Sequence, residues 1–343
     1  MKLWKPSPLI RRRWRRFKAH RRGYLSLWLF VALFGLSLGA ELISNDKPLL
    51  VHFQGTFYFP LWNTYPETTF GGDFETEADY KDPYLTEILN AGENWLIFPL
   101  NPHSFDTINT ELSQPAPSAP DGQNYLGTDD RARDVLARLI YGFRLSVLFA
   151  LGLTIIGVAM GIVAGAVQGY FGGRTDLFLQ RFIEIWGSMP ELYLLIIFAG
   201  IFNPSVLLLI ILLSLFGWMG LADYVRAEFL RARNQIYVKA ARAMGVGDRT
   251  IMFRHLLPNA MTPVITFLPF RISGAILALT SLDFLGLGVP PSTPSLGELL
   301  RQGKANIEAW WLSLSTFVVL VVMLLLLNFI GEALRDALDP RKE

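Results

Sequence analysis

LSVLFALGLTIIGVAMGIVAGAV, the run from Leu145 to Val167, decides the fold class of this chain. None of its residues is charged, and it is longer than the about 20 helical residues that cross the hydrocarbon core of a bilayer. A segment of this kind predicts a membrane-spanning helix. We therefore expect an integral membrane protein.

Further spans are predicted on both sides of this run. Five more apolar stretches share its character and lie at 24–40, about 185–202, 206–222, 263–282 and 310–330. The stretch 24–40 follows a long basic run and lacks a small-residue cleavage site, which indicates an anchor and not a signal peptide. The stretch 185–202 is interrupted by Pro190 and Glu191. The pattern predicts an all-α membrane protein with six transmembrane helices.

The composition agrees with a membrane protein and excludes several functions. Apolar residues make up 52% of the chain and charged residues only 17%, against about 25% charged in soluble domains. The chain has no cysteine, which excludes disulfides, zinc ribbons, iron–sulfur clusters and thiol catalysis. The four histidines are scattered, so no metal site is predicted. A net charge of +2 gives no reason to expect a nucleic-acid partner.

The charges between the spans set the expected orientation. Residues 1–22 carry ten Lys or Arg and no acid, and positive flanks stay in the cytoplasm. Six alternating spans then place 41–144, with 16 acids and 6 bases, outside. They place 223–262, with seven bases and three acids, inside. Both termini are expected in the cytoplasm.

These boundaries give the expected organisation of the chain. We predict a basic cytoplasmic segment at 1–23, a first helix at 24–43 and an external insertion with its lead-in at 44–143. A five-helix core at 144–333 and a cytoplasmic tail at 334–343 follow. The basic segment is expected to rest on anionic lipid. Alternating residues in 49–59 predict one or two strands. The core contains the cytoplasmic loop 223–262.

Two features inside the spans are candidates for a role in helix packing or in transport. Glycines recur every four residues in the second span, at Gly157, Gly161, Gly165 and Gly169. Small residues at this spacing let helices approach closely, which predicts a packing stripe. Arg271 lies within the fifth span, and an ionisable group there faces a bundle interior or a wet cavity. Arg271 and Glu191 are candidates for the translocation path, and a structural ion pair is an equal alternative for Arg271.

The cytoplasmic loop carries the most informative motif. It reads Lys239-Ala-Ala-Arg-Ala-Met-Gly245-Val-Gly247, followed by His255-Leu-Leu-Pro258-Asn259. Ala240, Ala241 and Met244 are expected on one face of a helix. Gly245 permits a left-handed turn, and Pro258 is expected to start the next helix. The motif predicts a compact helical knob with a small apolar face.

At these residues the sequence resembles the EAA loop of ABC-importer permeases. Five positions match that pattern: Ala240, Ala241, Gly245, Leu257 and Pro258. Lys239 replaces the acid, and His255 takes a hydrophobic position. The stretch from Arg254 to Asn259 is similar to the oligopeptide and dipeptide branch. Loop residues Met244 and Val246 belong to the same predicted contact with an ATPase.

The resemblance extends over essentially the whole chain. The stretches Leu126–Gly142 and Leu282–Pro290 look like the C-type permease of that branch, although Ala132 stands where a glycine is common. The insertion after the first span resembles the microcin C and peptide subgroup. The resemblance implies the type I importer fold, with an external insertion after the first helix.

The resemblance also implies partners. They are a second permease subunit, two ABC ATPases that bind ATP and Mg, an external solute-binding protein, and a peptide substrate. The stretch Gly297 to Lys304 is one residue too long for a phosphate loop and is followed by Ala305, so no ATP site or other cofactor is predicted in this chain. No catalytic residue is predicted.

Other functions stay open at this point. Nickel or another small solute is an alternative cargo within the family. An ion-coupled secondary transporter should show repeated broken helices and midplane ionisable groups, whereas the sequence offers only Arg271 and the Pro190 break. A membrane-embedded enzyme requires clustered catalytic groups, which the sequence does not indicate.

Overall fold

The computed structural model of the protein describes residues 8–110, 112 and 114–339. The first seven residues of the predicted basic segment and the last four of the predicted tail lie outside the described residues. The described part of the chain is mostly helical, as the apolar runs predict.

The helices follow one another with short connections except in the insertion. In chain order they are α1 (Pro8–Ala19), α2 (Arg21–Leu38), α3 (Ala40–Ile43), α4 (Pro83–Leu89), α5 (Val135–Phe171), α6 (Gly173–Gly187), α7 (Glu191–Ile201), α8 (Val206–Gly217), α9 (Met219–Ala232), α10 (Ile236–Ala243), α11 (Asp248–Thr250), α12 (Leu257–Phe284), α13 (Leu296–Ala305) and α14 (Trp310–Leu338). A 3-10 turn covers Glu67–Phe70, and a π-helical turn, Ile251–Leu256, joins α11 to α12.

Among the described residues, four helical stretches are long and apolar enough to cross a membrane, namely α5, the run 206–232, the run 248–284 and α14. The pair α6 and α7 makes a fifth if it is one span, bent by 65°. The predicted interruption at Pro190 is confirmed, because Pro190 caps the start of α7. The first predicted span corresponds to the 18-residue helix α2, which begins with two arginines and is not among these stretches. The six-span count therefore stays a prediction.

The chain divides into two compact units. One contains Met1–Val31, Val147–Pro290 and Val321–Glu343, and the other contains Ala32–Ser146 and Pro291–Leu320. The first unit has an apolar core that α5, α9, α10, the π turn and α12 share, with Phe229, Ile251 and Leu256 fully buried. The loop helix α10 is thus part of the hydrophobic core of its unit.

The insertion contains a small sheet over an aromatic core. Strands β1 (Leu50–Phe53), β2 (Thr56–Tyr58) and β3 (Trp95–Ile97) lie in the order β2-β1-β3, both pairs antiparallel. Val51 and Phe53 of β1 point inward, and Phe70 is fully buried beneath them. The alternation in 49–59 is confirmed as two strands of a hairpin.

The lead-in to α5 is held by buried charges. Asp129 accepts hydrogen bonds from the Arg133 side chain at 2.6 and 2.8 Å. Arg138 is fully buried and donates to the Thr293 carbonyl at 3.0 Å. Ala132 has a φ of 59°, a left-handed conformation that glycine adopts more easily, which explains why this position favours glycine.

Candidate coupling loop and transport path

The loop motif folds as a short helix that ends in a glycine cap. Helix α10 stops at Ala243, and Gly245 follows with a φ of 78°. The Gly245 amide donates to the Arg242 carbonyl at 2.9 Å, and the Val246 amide donates to the Ala241 carbonyl at 3.0 Å. This pair of bonds is the Schellman motif, which satisfies carbonyls that the helix end would leave unpaired. The predicted left-handed turn at Gly245 is confirmed.

The residues predicted to form a single face of α10 lie on two sides of the helix. Ala241 is 5% exposed and packs with Val238 in the core of the unit. Ala240 is exposed, and Met244 is 76% exposed. The expectation that Ala240, Ala241 and Met244 share one face is wrong, because residues three and four apart share a face whereas Ala240 and Ala241 are adjacent. The outward face carries Ala240 and Met244, with Lys239 also exposed.

The predicted start of the following helix is also wrong. Helical structure begins at Asp248 and continues through the π turn into α12, so Pro258 is the second residue of a segment already under way. The Leu257 amide donates to the Met252 carbonyl, five residues back. A proline removes one helical hydrogen bond and displaces the carbonyl four residues earlier. For Pro258 that carbonyl belongs to Arg254, which lies within the wider π turn. His255 and Leu257 are half-buried, and Pro258 is exposed.

The loop is tied to the end of α5 by contacts that the sequence did not indicate. The Tyr170 hydroxyl donates to the Asp248 carboxylate, and the Arg242 guanidinium lies 4.9 Å from the centre of the Tyr170 ring. Tyr170 itself is buried. The one available signal was an aromatic residue directly after the last glycine of the stripe. These contacts join the loop to the end of helix α5.

Three of the four glycines in the stripe, Gly161, Gly165 and Gly169, lie against the helical run 206–232. A Cβ atom on Gly165 would lie 2.4 Å from the Ala222 carbonyl oxygen, and one on Gly169 would lie 2.5 Å from the Phe229 Cβ. A Cβ on Gly161 would lie 2.9 Å from the Leu221 Cβ. Real Cβ atoms do not approach so closely, so this contact admits only glycine at these positions without a shift of the helices.

Gly157, the first glycine of the stripe, faces Arg271 instead. The Arg271 guanidinium donates to the Gly217 carbonyl at 2.5 Å, and a Cβ on Gly157 would lie 3.0 Å from the same nitrogen. Gly217 is the last residue of α8, where helical carbonyls lack partners. Arg271 therefore bonds a helix end, and it forms no ion pair among the described residues.

Arg271 also lines a small hollow between helices. The hollow has a volume of about 230 Å³ and includes Tyr224 and Phe267, whose rings are 4.9 Å apart. Glu191 is exposed in the first turn of α7 and is not part of this hollow. The two candidate path residues are therefore not brought together in one pocket.

The fold and the loop define a multi-pass membrane permease. The family of binding-protein-dependent transport system inner membrane components matches residues 137–343. The chain belongs to this family and is the permease component of such a system, in the inner membrane.

Full-length relatives support the same conclusion. The peptidoglycan transport system permease protein YejE of Agrobacterium fabrum is 53% identical, covering 98% of this chain and 94% of its own. The inner membrane ABC transporter permease protein YejE of Escherichia coli is 52% identical and covers 98% of both chains. The oligopeptide transport system permease protein OppC of Haemophilus influenzae is 36% identical, covering 70% of this chain and 77% of its own.

The fold is also similar to a solved transporter. An inward-facing structure of the MetNI methionine ABC transporter matches 60% of this chain and 97% of its own chain, with a TM-score of 0.50 and 18% identity. At that identity the likeness concerns the fold alone. It agrees with the type I importer fold that the loop motif implies.

Proposed function

We propose that this chain is the translocation subunit of an ATP-driven importer for peptides or peptide-like compounds. A second permease subunit, two ABC ATPase subunits and an external solute-binding protein complete the complex. The ATPases bind ATP and Mg, and this chain binds no cofactor of its own. Relatives named for peptidoglycan, oligopeptide and dipeptide transport favour a peptide over nickel or another small solute.

One observation carries the coupling role, namely the apolar side chains that the loop exposes. Ile236, Tyr237, Met244 and Phe253 are all exposed, although the same loop buries Val238 and Ala241. Several exposed apolar groups on one short loop favour a contact with another protein. The Tyr170 contacts fix the loop to the end of α5, so a partner that moves the loop also moves a spanning helix.

Reconstitution of the whole complex tests this function. The five proteins are assembled in proteoliposomes, and uptake of radiolabelled tri-alanine is measured with ATP and with a non-hydrolysable analogue. We expect uptake with ATP only. Uptake that persists without the ATPase subunits would support an ion-coupled transporter, and uptake of nickel without tri-alanine would support the small-solute alternative.

The charge bias supports six spans with both termini in the cytoplasm, which makes the insertion external. The chain has no cysteine, so single reporters can be introduced at the exposed positions Glu75 and Ala243. A membrane-impermeant maleimide added to spheroplasts should label Glu75→Cys and not Ala243→Cys. The opposite labelling pattern would contradict this orientation, and labelling of both would contradict an intact span between them.

A further inference from the structure

The insertion contains a large cleft that the coupling role does not use. Its volume is about 920 Å³, within the roughly 300–1,000 Å³ typical of ligand sites. The walls are formed by residues 46–47, the segment 77–83, and the loops 102–110 and 122–125. All of these residues belong to the same compact unit. The cleft is therefore a property of the insertion itself.

Acidic groups predominate in the lining. The charged side chains of the walls are Asp46, Lys47, Glu77, Asp79, Lys81 and Asp82, so four carboxylates face two ammonium groups. Lys47 is already paired with Glu77. A cleft lined mainly by one sign of charge concentrates ligands of the other sign, so this cleft favours a cationic group.

His103 holds two walls of the cleft together. Its Nδ1 atom lies 3.1 Å from the Lys81 ammonium, and its ring also bonds the Gln123 backbone. Burial and the Lys81 charge keep the pKa of His103 below its usual value. A neutral imidazole accepts at one nitrogen and donates at the other, which is what this position between a donor and a backbone carbonyl requires. His103 thus joins the segments that carry Lys81 and Gln123.

Tyr80 supplies a polar group without a partner. Its side chain is 3% exposed, and its hydroxyl makes no hydrogen bond within the described residues. Burial and the nearby Glu77 carboxylate raise the pKa of Tyr80, so its hydroxyl stays protonated. The hydroxyl oxygen has almost no accessible surface, so a ligand reaches it only if the wall shifts. An unpaired buried hydroxyl is costly, which favours such a shift because the ligand breaks no existing hydrogen bond.

The remaining lining suits a peptide. The side chains of Thr86, Thr110 and Gln123 offer hydroxyl and amide groups, and Phe98 and Ile108 offer apolar surface. Peptide groups need both donors and acceptors, and peptide side chains need apolar contact. A site that combines these with an excess of carboxylates matches a short peptide with a free amino terminus.

We propose that this cleft binds short peptides, with the amino-terminal ammonium group held between Asp46 and Asp79. The site rests on the proposed peptide transport and adds an external peptide site on the permease itself. The Asp46 carboxylate accepts a hydrogen bond from the Thr107 hydroxyl at 2.7 Å, and Asp79 accepts one from the Lys81 amide at 3.0 Å. Both carboxylates are thereby oriented, and each retains acceptor capacity for an ammonium group.

Calorimetric titration of the complete complex in lipid nanodiscs, without the binding protein, tests the site. The probes are tri-alanine, N-acetyl-tri-alanine and tri-alanine amide. We expect tri-alanine and its amide to bind alike and the acetylated peptide to bind about tenfold more weakly, because a hydrogen bond to a charged group is lost. Equal affinity for all three peptides, or no binding of tri-alanine up to about 10 mM, would overturn the proposal.

Two variants assign the binding to this cleft. In the double variant Asp46→Asn with Asp79→Asn, each asparagine keeps one side-chain oxygen that can accept the existing hydrogen bond. This variant should weaken the binding of tri-alanine about tenfold and leave the binding of the acetylated peptide unchanged. Tyr80→Phe should weaken all three peptides by roughly threefold without lowering the unfolding temperature, since its hydroxyl has no partner to lose. Controls are Asp73→Asn, an exposed carboxylate outside the lining, and Tyr65→Phe, a tyrosine of the neighbouring core outside the lining.

The uptake measurement separates this inference from the function on which it rests. If the complex transports tri-alanine while the double variant binds it like the wild type, the cleft assignment is wrong and the peptide transport stands. If tri-alanine binds with the expected dependence on Asp46 and Asp79 but no peptide is transported, the transport assignment fails and the binding site stands.

Discussion

Two regions of this membrane protein, the glycine stripe of α5 and the exposed surface around α10, use apolar residues in opposite ways. Along α5 the glycines meet the run 206–232 so closely that a Cβ at Gly165 would lie 2.4 Å from a carbonyl oxygen. Around α10 the chain leaves Met244 76% exposed, beside other exposed apolar side chains. The first contact is completed within the chain, whereas the second region leaves its apolar groups exposed, as the proposed contact with an ATPase requires.

The difference shows how to separate structural from functional apolar residues in a permease. Lipid gives helices no hydrophobic reason to associate, so the α5 contact depends on close approach. The loop lies in a predicted aqueous region, where exposed apolar area is unfavourable unless a partner covers it. Substitutions in the two regions should therefore differ most in their effect on the stability of the chain. Four substitutions, taken from the largest expected effect to the smallest, test this difference.

Gly165→Leu should have the largest effect. The new side chain meets the backbone of Ala222 and the Cβ of Val225, and neither moves without separating two helices. We expect a loss of about 3 kcal/mol or more in the free energy of unfolding, measured as the unfolding temperature and membrane yield of the purified subunit. Gly200→Leu is the matched control, since a Cβ there meets no atom within 4 Å. Similar losses in both variants would show that the α5 contact is not tight.

Ala241→Trp should destabilise the loop from within. Ala241 is buried against the core that α10 shares with α5 and α12, and overpacking of such a site costs roughly 1–3 kcal/mol. Ala240→Trp places the same side chain on the exposed side and should leave the unfolding temperature unchanged. If both variants unfold at the same temperature, the assignment of the two faces of α10 is wrong.

Gly245→Val should have a moderate effect on stability. The φ of 78° at Gly245 costs a residue with a Cβ about 1–2 kcal/mol, and β-branching adds to the strain. Limited proteolysis of the loop should detect the loss as faster cleavage. Gly247→Val is the control, because Gly247 has a φ of −63° and no atom within 4 Å of an added Cβ. Equal cleavage rates would contradict the glycine cap.

Met244→Asp should leave stability unchanged and impair coupling. The side chain is exposed, so the free energy of unfolding should change by less than about 0.5 kcal/mol. Stimulation of ATP hydrolysis by the peptide-loaded binding protein should fall at least about fivefold, the effect of losing a central apolar contact. Leu100→Asp, at a position 84% exposed in the insertion, should keep normal stimulation. A Met244→Asp complex with full stimulation would remove the loop from the coupling contact.

Much of the fold was predictable because its signals are local. The Pro190 break and the Gly245 turn each follow from the restricted backbone of one residue, and the structure has both. The strands of the insertion follow from alternation along one short stretch. The face of α10 was not predictable, because alanine is small enough to suit either a core or a contact, and burial depends on distant neighbours such as Leu256.

The sequence by itself determined that the chain is a membrane permease and predicted a coupling motif in a cytoplasmic loop, since hydropathy, charge bias and motif spacing are read along the chain. Only the tertiary structure decided that Ala241 faces inward, that Arg271 bonds the end of α8, and that Tyr170 joins the loop to α5. It also decided that residues from 46 to 125 enclose a cleft. Each of these depends on side chains far apart in sequence, and no local pattern encodes which distant groups the packed helices and loops bring together.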